Sequence, residues 1–307
     1  MLIKTLKVVA LLTTMLCASA VHAGDLEDGV AAYDKKNYAV ALIKLKQAAA
    51  QGLAEAQYGL GVMYVNGQGV GQDFAEAVRW WKLAAAQGYA QAQYNIGLMH
   101  SNGQGAVQNY AEAVRWWKLA AAQGYVQAQN NLGVMYEKWQ GVVKNYAEAA
   151  KWYKLAVAQG YADSQNNLGF MYSEGRGGAR DYAEATKWYR LAVAQGNAPA
   201  QHNLAVHYDK GQGVVQDNAE AVKWWKLAAA QGYAPSQRSL GALYNNGQSV
   251  VQDYVRAHMW YNLAAAKGDA EAAKYRDMVA AKMNTQQLAQ AQKIARECQA
   301  RNYKNCD

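Results

Sequence analysis

Few side chains in this 307-residue sequence have the types and spacing to do chemistry. His202 and His207 lie five apart, so on a helix they point to different sides and make a poor metal pair. His207 and His100 stand where sister segments carry Met63 and Tyr64, which reads as core substitution before ligation. The sequence holds no His-Glu-x-x-His helix, no phosphate-binding P-loop and no Gly-x-Ser-x-Gly elbow. Ser-x-x-Lys, which a serine β-lactamase or penicillin-binding enzyme needs, is absent after residue 23. No catalytic residue, metal or cofactor is expected. Two other sets stand out. Asn95, Asn131, Asn167 and Asn203 recur at one interval, and an amide offers both donor and acceptor to an extended peptide. The alternative is an amide that satisfies neighbouring backbone or a contact between repeats. Cys298 and Cys306 are the only cysteines after Cys17, and in an oxidising compartment they would close a short disulfide loop. Free or intermolecular thiols are the other reading.

The elements that position these residues come from a repeat. A period of 36 runs without insertion from Gln51-Gly52 to Lys267-Gly268, with glycine at 52, 88, 124, 160, 196, 232 and 268. Aromatic pairs keep the same interval, from Trp80-Trp81 to Trp260-Tyr261. A fixed period of this size is the mark of stacked supersecondary units. Each unit reads as two helices. The second opens at Asp73-Phe74-Ala75-Glu76, a capping box in which Glu76 is expected to reach back to the Asp73 backbone. Phe74, Ala77, Val78, Trp81 and Ala85 then form an apolar stripe, and Gly88 ends the helix in the left-handed conformation. The first helix runs from about Glu55 to Asn66, and Pro199 and Pro235 fall at its opening. Gly61 and its equivalents, within that helix, permit close helix approach. The repeat accounts for an odd composition of 10 Trp, 22 Tyr and 27 Gly against 2 Phe and 2 Pro.

Asn95-Ile96-Gly97-Leu98-Met99, Ala111 to Trp117, and Ala120-Ala121-Ala122-Gln123-Gly124 resemble the Sel-1-like repeat family, relatives of tetratricopeptide repeats. The resemblance covers about four-fifths of the chain after residue 23. It implies an all-α fold, a right-handed α/α superhelical solenoid of antiparallel helix pairs, whose first helices line a concave groove. It also implies an adaptor that binds an unidentified protein or extended peptide, often in envelope regulation or host contact. In tetratricopeptide relatives an asparagine at the ladder position bonds a bound peptide's backbone. Some relatives are described as β-lactamase-like, so such an enzyme or a cell-wall hydrolase is the alternative. Those relatives carry a cysteine pair in every repeat, and these repeats carry none.

Candidate partner-binding residues are the ladder and the varied positions beside it: Tyr58, Tyr94, His202 and Arg238, with Asn130 and Asn166 between them. Val62, Leu98, Val134, Phe170, Val206 and Ala242 mark a second varied position. Trp139 joins the candidates because it replaces a loop glycine at a left-handed position; its alternative is packing onto Tyr136. Arg79/Lys82 and four equivalents up to Lys223/Lys226 align as a basic ridge, suited to an anionic envelope component or simply solvated beside Glu76 and its equivalents. Residues 1–23 read as a signal peptide: Lys4 and Lys7, an apolar run, and Val21-His22-Ala23 at the cut. Its removal leaves 29 basic against 23 acidic side chains, net +6, and implies a periplasmic or secreted protein. Nucleic acid is not an expected partner, since no basic recognition motif is present. The expected organisation is a signal peptide over 1–23 and a tetratricopeptide-like unit over 24–51. Six repeats over 52–267 and a capping tail over 268–307 complete it, with a last helix from Asn284-Thr285 through Ile294.

Overall fold

The computed structural model describes residues 20–306. The leader expected over 1–23 lies outside them except for the backbone of its last four residues. Among the described residues there are sixteen helices and no strand. Helices α1 (Ala20–Asp34) and α2 (Tyr38–Ala50) precede the repeats. The first helices of the repeats are α3 (Ala54–Asn66), α5 (Ala90–Asn102), α7 (Val126–Lys138), α9 (Ala162–Glu174), α11 (Ala198–Lys210) and α13 (Ala234–Asn246). The second helices are α4 (Phe74–Ala86), α6 (Tyr110–Ala122), α8 (Tyr146–Ala158), α10 (Tyr182–Ala194), α12 (Asn218–Ala229) and α14 (Tyr254–Ala265). The tail forms α15 (Ala270–Ala280) and α16 (Thr285–Ala300). The chain divides into two compact units, one ending at Ala128 and one beginning at Gln129, the division falling inside α7. In the first unit α1 to α6 pack consecutively; in the second, α8 to α15 do the same.

Local chemistry explains these boundaries. Asp73 accepts a hydrogen bond from the Glu76 amide at 2.9 Å, and Asn109, Asn145, Asp181, Asp217 and Asp253 repeat that cap. The second half of the expected box does not form there. The Glu76 carboxylate turns forward instead to Arg79, at 2.7 Å, and the pairs Glu112–Arg115, Glu148–Lys151, Glu184–Lys187 and Glu220–Lys223 follow it. The Asp73 N–H is already taken, donating to the Tyr64 carbonyl at 3.0 Å, and its equivalents do the same, so the carboxylate is left to the cation three residues on. The complete box occurs once, where Asn284 and Gln287 bond reciprocally at the start of α16. At the other end of α4 the Tyr89 amide reaches the Ala84 carbonyl and the Gly88 amide reaches Ala85, a Schellman closure around Gly88.

The core is the aromatic stripe of the second helices set into the first. Trp81 and Trp117 are buried, and each indole N–H donates at 3.1 Å to a carbonyl of the preceding helix, Tyr58 and Tyr94 respectively. A Cβ at Gly61 would stand 2.2 Å from the Trp81 nitrogen, so glycine there admits the ring. Buried glutamines join the two helices across each of the first five repeats, a feature the sequence reading missed. Gln57 accepts from Gln87, Gln93 from Gln123, Gln129 from Gln159, Gln165 from Gln195 and Gln201 from Gln231, each at 2.9 Å.

The tail departs from the repeat. Helix α16 runs six residues past Ile294, to Ala300, and packs on α14. Leu263 is therefore fully buried, whereas Leu83, Leu119, Leu155, Leu191 and Leu227 at the same repeat position are 44–51 % exposed. Met259 replaces the ridge cation of the earlier repeats and is buried with it. A disulfide joins Cys298 to Cys306.

Candidate functional site

The ladder asparagines sit on the first helices one residue before a fully buried leucine or isoleucine, which fixes the face they share. In the first unit Asn95 is buried beside Tyr58, whose hydroxyl burial pushes upward in pKa while the Asn95 amide pulls it down. In the second unit Asn131, Asn167 and Asn203 are half-buried. The Asn167 amide donates to Asn130 at 3.1 Å and the Asn203 amide to Asn166 at 2.9 Å. Asn167 and Asn203 thus tie α9 to α7 and α11 to α9, and the Asn167 oxygen in turn accepts from the Asn166 amide at 3.5 Å.

The varied positions engage the following repeat. Tyr58 stacks on Tyr89 at 5.1 Å and Tyr94 on Tyr125 at 5.0 Å. His202 meets Tyr233 edge-on at 5.6 Å, and its Nδ1 lies 3.0 Å from the Ser236 hydroxyl. Burial, with Arg238 adding to it, lowers the His202 pKa to about 4. Arg238 forms ion pairs with Asp269, at 3.0 Å, and with Glu271. A cavity of 520 Å³ lies among His202, Arg238, Ser239, Ala242 and Tyr275.

Trp139 has φ +60°, the conformation glycine takes elsewhere in this loop, and its side chain is 71 % exposed. Behind it Glu137 accepts from the Tyr153 hydroxyl at 2.9 Å and pairs with Arg176, which lies over the Phe170 ring. Cys298 is buried in the tail, away from these positions.

The sequence reading did not assemble the cluster at His207. This histidine is buried, with Nδ1 2.9 Å from the Thr186 hydroxyl and Nε2 3.3 Å from that of Ser173. Thr186 donates its hydrogen to the Tyr182 carbonyl at 2.9 Å, so it accepts from His207 Nδ1–H. That leaves Nε2 to accept from Ser173. Desolvation holds the ring neutral, its pKa lowered to about 4. Above it opens a cavity of 310 Å³ lined by Phe170, Asn203 and Val206 together with Glu174, Arg180 and Lys210. The signal was present in the sequence: Thr186 stands where other repeats have Val78, Val114 and Val222, and His207 where they have methionine or Leu243. Among the described residues no group of three or more His, Cys, Asp or Glu is placed to hold a metal ion.

Helix pairs on an unbroken 36-residue period, with polar and aromatic side chains shared along one face of the first helices, define an α-helical repeat scaffold. The chain belongs to the Sel1 repeat family, whose model matches residues 54–89, 90–125, 126–161, 162–197, 198–233 and 234–269. A crystal structure of a Sel1 repeat protein from Oxalobacter formigenes is 32 % identical, with a TM-score of 0.75 over 78 % of this chain and 96 % of that one. The crystal structure of c5321, a protective antigen of uropathogenic Escherichia coli strains displaying the same fold, is 34 % identical with a TM-score of 0.72. That likeness covers 90 % of this chain and 61 % of the antigen, so the chain spans about three-fifths of its length. No curated protein matches. Sel1 repeat proteins generally act as scaffolds for protein–protein interaction and not as catalysts.

Proposed function

We propose that the protein is an exported scaffold that holds an extended segment of a protein partner along the face of its first helices, in envelope regulation or host contact. The observation that carries this reading is the placement of two cavities of the second unit. Both open where the ladder meets the varied positions: one at Asn203 with Phe170 and Val206, the other at Ser239 with His202, Arg238 and Ala242. Half-buried amides and aromatic rings beside an apolar wall suit a peptide backbone with alternate side chains inserted. Export rests on the leader sequence over 1–23, and the antigen among the similar structures supports an outward-facing role. The test is site-specific photocrosslinking in the native envelope. A benzoylphenylalanine at Val62 or Val206 is expected to capture a partner that the same group at Leu83 or Leu191 does not. Capture from the leucine positions alone would overturn the reading. N-terminal sequencing of the purified protein tests export, with Gly24 as the expected first residue.

A hydrolase reading gains nothing from the His207 cluster. Ser173 and His207 face one another, but Nδ1 meets a hydroxyl and not a carboxylate. The low pKa of the ring leaves no support for the imidazolium that acyl transfer requires.

A further inference from the structure

The cavity over His207 gathers several residues that differ from those most other repeats carry at the same positions. His207 replaces methionine or leucine in its floor, and Thr186, bonded to His207, stands where three other repeats have valine. On its rim, Arg180 stands where four repeats have glutamine (Gln72, Gln108, Gln216 and Gln252) and one has Lys144. Glu174 and Lys210 occupy the position of Asn66, Asn102 and Asn246, where the third repeat has Lys138. Substitutions scattered from Glu174 to Lys210 thus meet around one space of 310 Å³.

We propose that this cavity is a subsite for an acidic side chain, the aspartate or glutamate of a partner segment lying along the first helices; the inference rests on the groove reading above.

Charge favours an anion. Two cations, Arg180 and Lys210, face one carboxylate, Glu174, while the floor is polar but uncharged. Arg180 is held in place: its Nη1 donates to the Tyr182 hydroxyl at 3.0 Å and its guanidinium lies over that ring at 5.5 Å. Because the Tyr182 hydroxyl accepts from Arg180, its own hydrogen is free to donate to a ligand. A guanidinium with an adjacent phenol matches a carboxylate with two oxygens, through charge-assisted bonds about twice as strong as neutral ones. Phe170 and Val206 supply apolar walls, which lower the local dielectric and strengthen that attraction. The space suits one side chain, lying at the small end of the usual ligand range of roughly 300–1,000 Å³. The His207 chain is internally satisfied, so it does not compete for the ligand and fixes the floor beneath it.

The probes are the capped peptides Ac-Ala-Ala-Asp-Ala-Ala-NH2 and its Asn counterpart, titrated into protein carrying 13C-labelled histidine. The resonances of His207 are identified by their loss in His207→Met. The Asp peptide is expected to move them with a Kd of about 1 mM, the scale of a single anchored contact. The Asn peptide is expected to bind at least tenfold more weakly. Lys210→Asn and Arg180→Gln, which install residues other repeats already carry at those positions, each weaken the Asp peptide at least threefold without changing the thermal unfolding midpoint. Equal binding of the two peptides, or no response to either variant, refutes the acidic subsite and leaves the groove intact. If neither peptide moves His207 while crosslinks form at Val62 and Val206, the subsite fails alone. If those crosslinks also fail, the groove reading falls with it.

Discussion

Gly61→Ala is the most informative single change in the core. The new Cβ would stand 2.2 Å from Trp81 Nε1 and 2.4 Å from its Cδ1, and the neighbour it meets is a rigid buried ring. The indole must move off the Tyr58 carbonyl, to which it now donates at 3.1 Å. Overpacking of this kind costs about 1–3 kcal/mol. A buried N–H left without a partner costs about 1–3 kcal/mol more. Alanine recovers about 1 kcal/mol of helix propensity over glycine. The expected net loss is about 3 kcal/mol. The protein holds the reverse arrangement in its fifth repeat, where alanine occupies the glycine position as Ala205. There the indole nitrogen of Trp225 is buried without a hydrogen-bond partner. Ala205→Gly should let that ring reach its carbonyl, regaining about 1 kcal/mol and losing about the same in propensity. Urea unfolding gives the two differences, and native-state hydrogen exchange on α3 and α11 localises them, since repeat arrays open locally. The reasoning is refuted if Gly61→Ala lies within about 0.5 kcal/mol of wild type, the scatter of neutral substitutions. It is equally refuted if Ala205→Gly proves as damaging as Gly61→Ala.

Trp139→Gly should stabilise the protein by about 1 kcal/mol, because an exposed indole leaves a left-handed position to the residue that favours it; a lowered unfolding midpoint would show that the ring packs usefully. Lowering the pH from about 6.5 to about 4 should destabilise the fold, since His202 and His207 bind protons less readily folded than unfolded. The loss begins at the unfolded value and ends below the folded one. Near pH 5, unfolding should take up about two protons through these groups, and His207→Met should remove about one, measured from the pH dependence of urea midpoints. Reducing the Cys298–Cys306 bridge should cost about 2–3 kcal/mol in the tail from loop entropy alone. Exchange should then rise in α16 and around Leu263 while α9 to α11 stay protected.

The repeat made the helices, their caps and the aromatic stripe legible, because each is set by residues within a few positions of one another. Asp73 could be read as a cap from its own neighbours. The destination of the Glu76 side chain could not: the backbone amide and Arg79 lie equally near in sequence, and the amide is claimed by the Tyr64 carbonyl, nine residues back across the loop. The glutamine pairs escaped notice because Gln57 and Gln87 lie 30 residues apart in two separate motifs, each bland by itself. The course of α16 was hidden for a related reason. Its one sequence sign was Met259 in the place of a ridge cation, which has meaning only once a helix is seen to cover it.

The same contrast separates two causes of variation among otherwise copied units. Position 58 and its equivalents vary, and so does the position 31 residues on, and in four of the six pairs the two side chains meet as matched partners. Tyr58 meets Tyr89, Tyr94 meets Tyr125, His202 meets Tyr233, and Arg238 meets Asp269. A ring is answered by a ring and a cation by an anion. Much of the variation along this row therefore matches one repeat to the next, and a partner need not touch it. Variation that no neighbouring repeat answers is the better guide to binding. Lys210 and Glu174 have no ion-pair partner among the described residues, and Arg180 is held only by the tyrosine beside it. All three open into one cavity, where two cations outnumber one carboxylate, and that excess is what the acidic side chain of the proposed partner would neutralise.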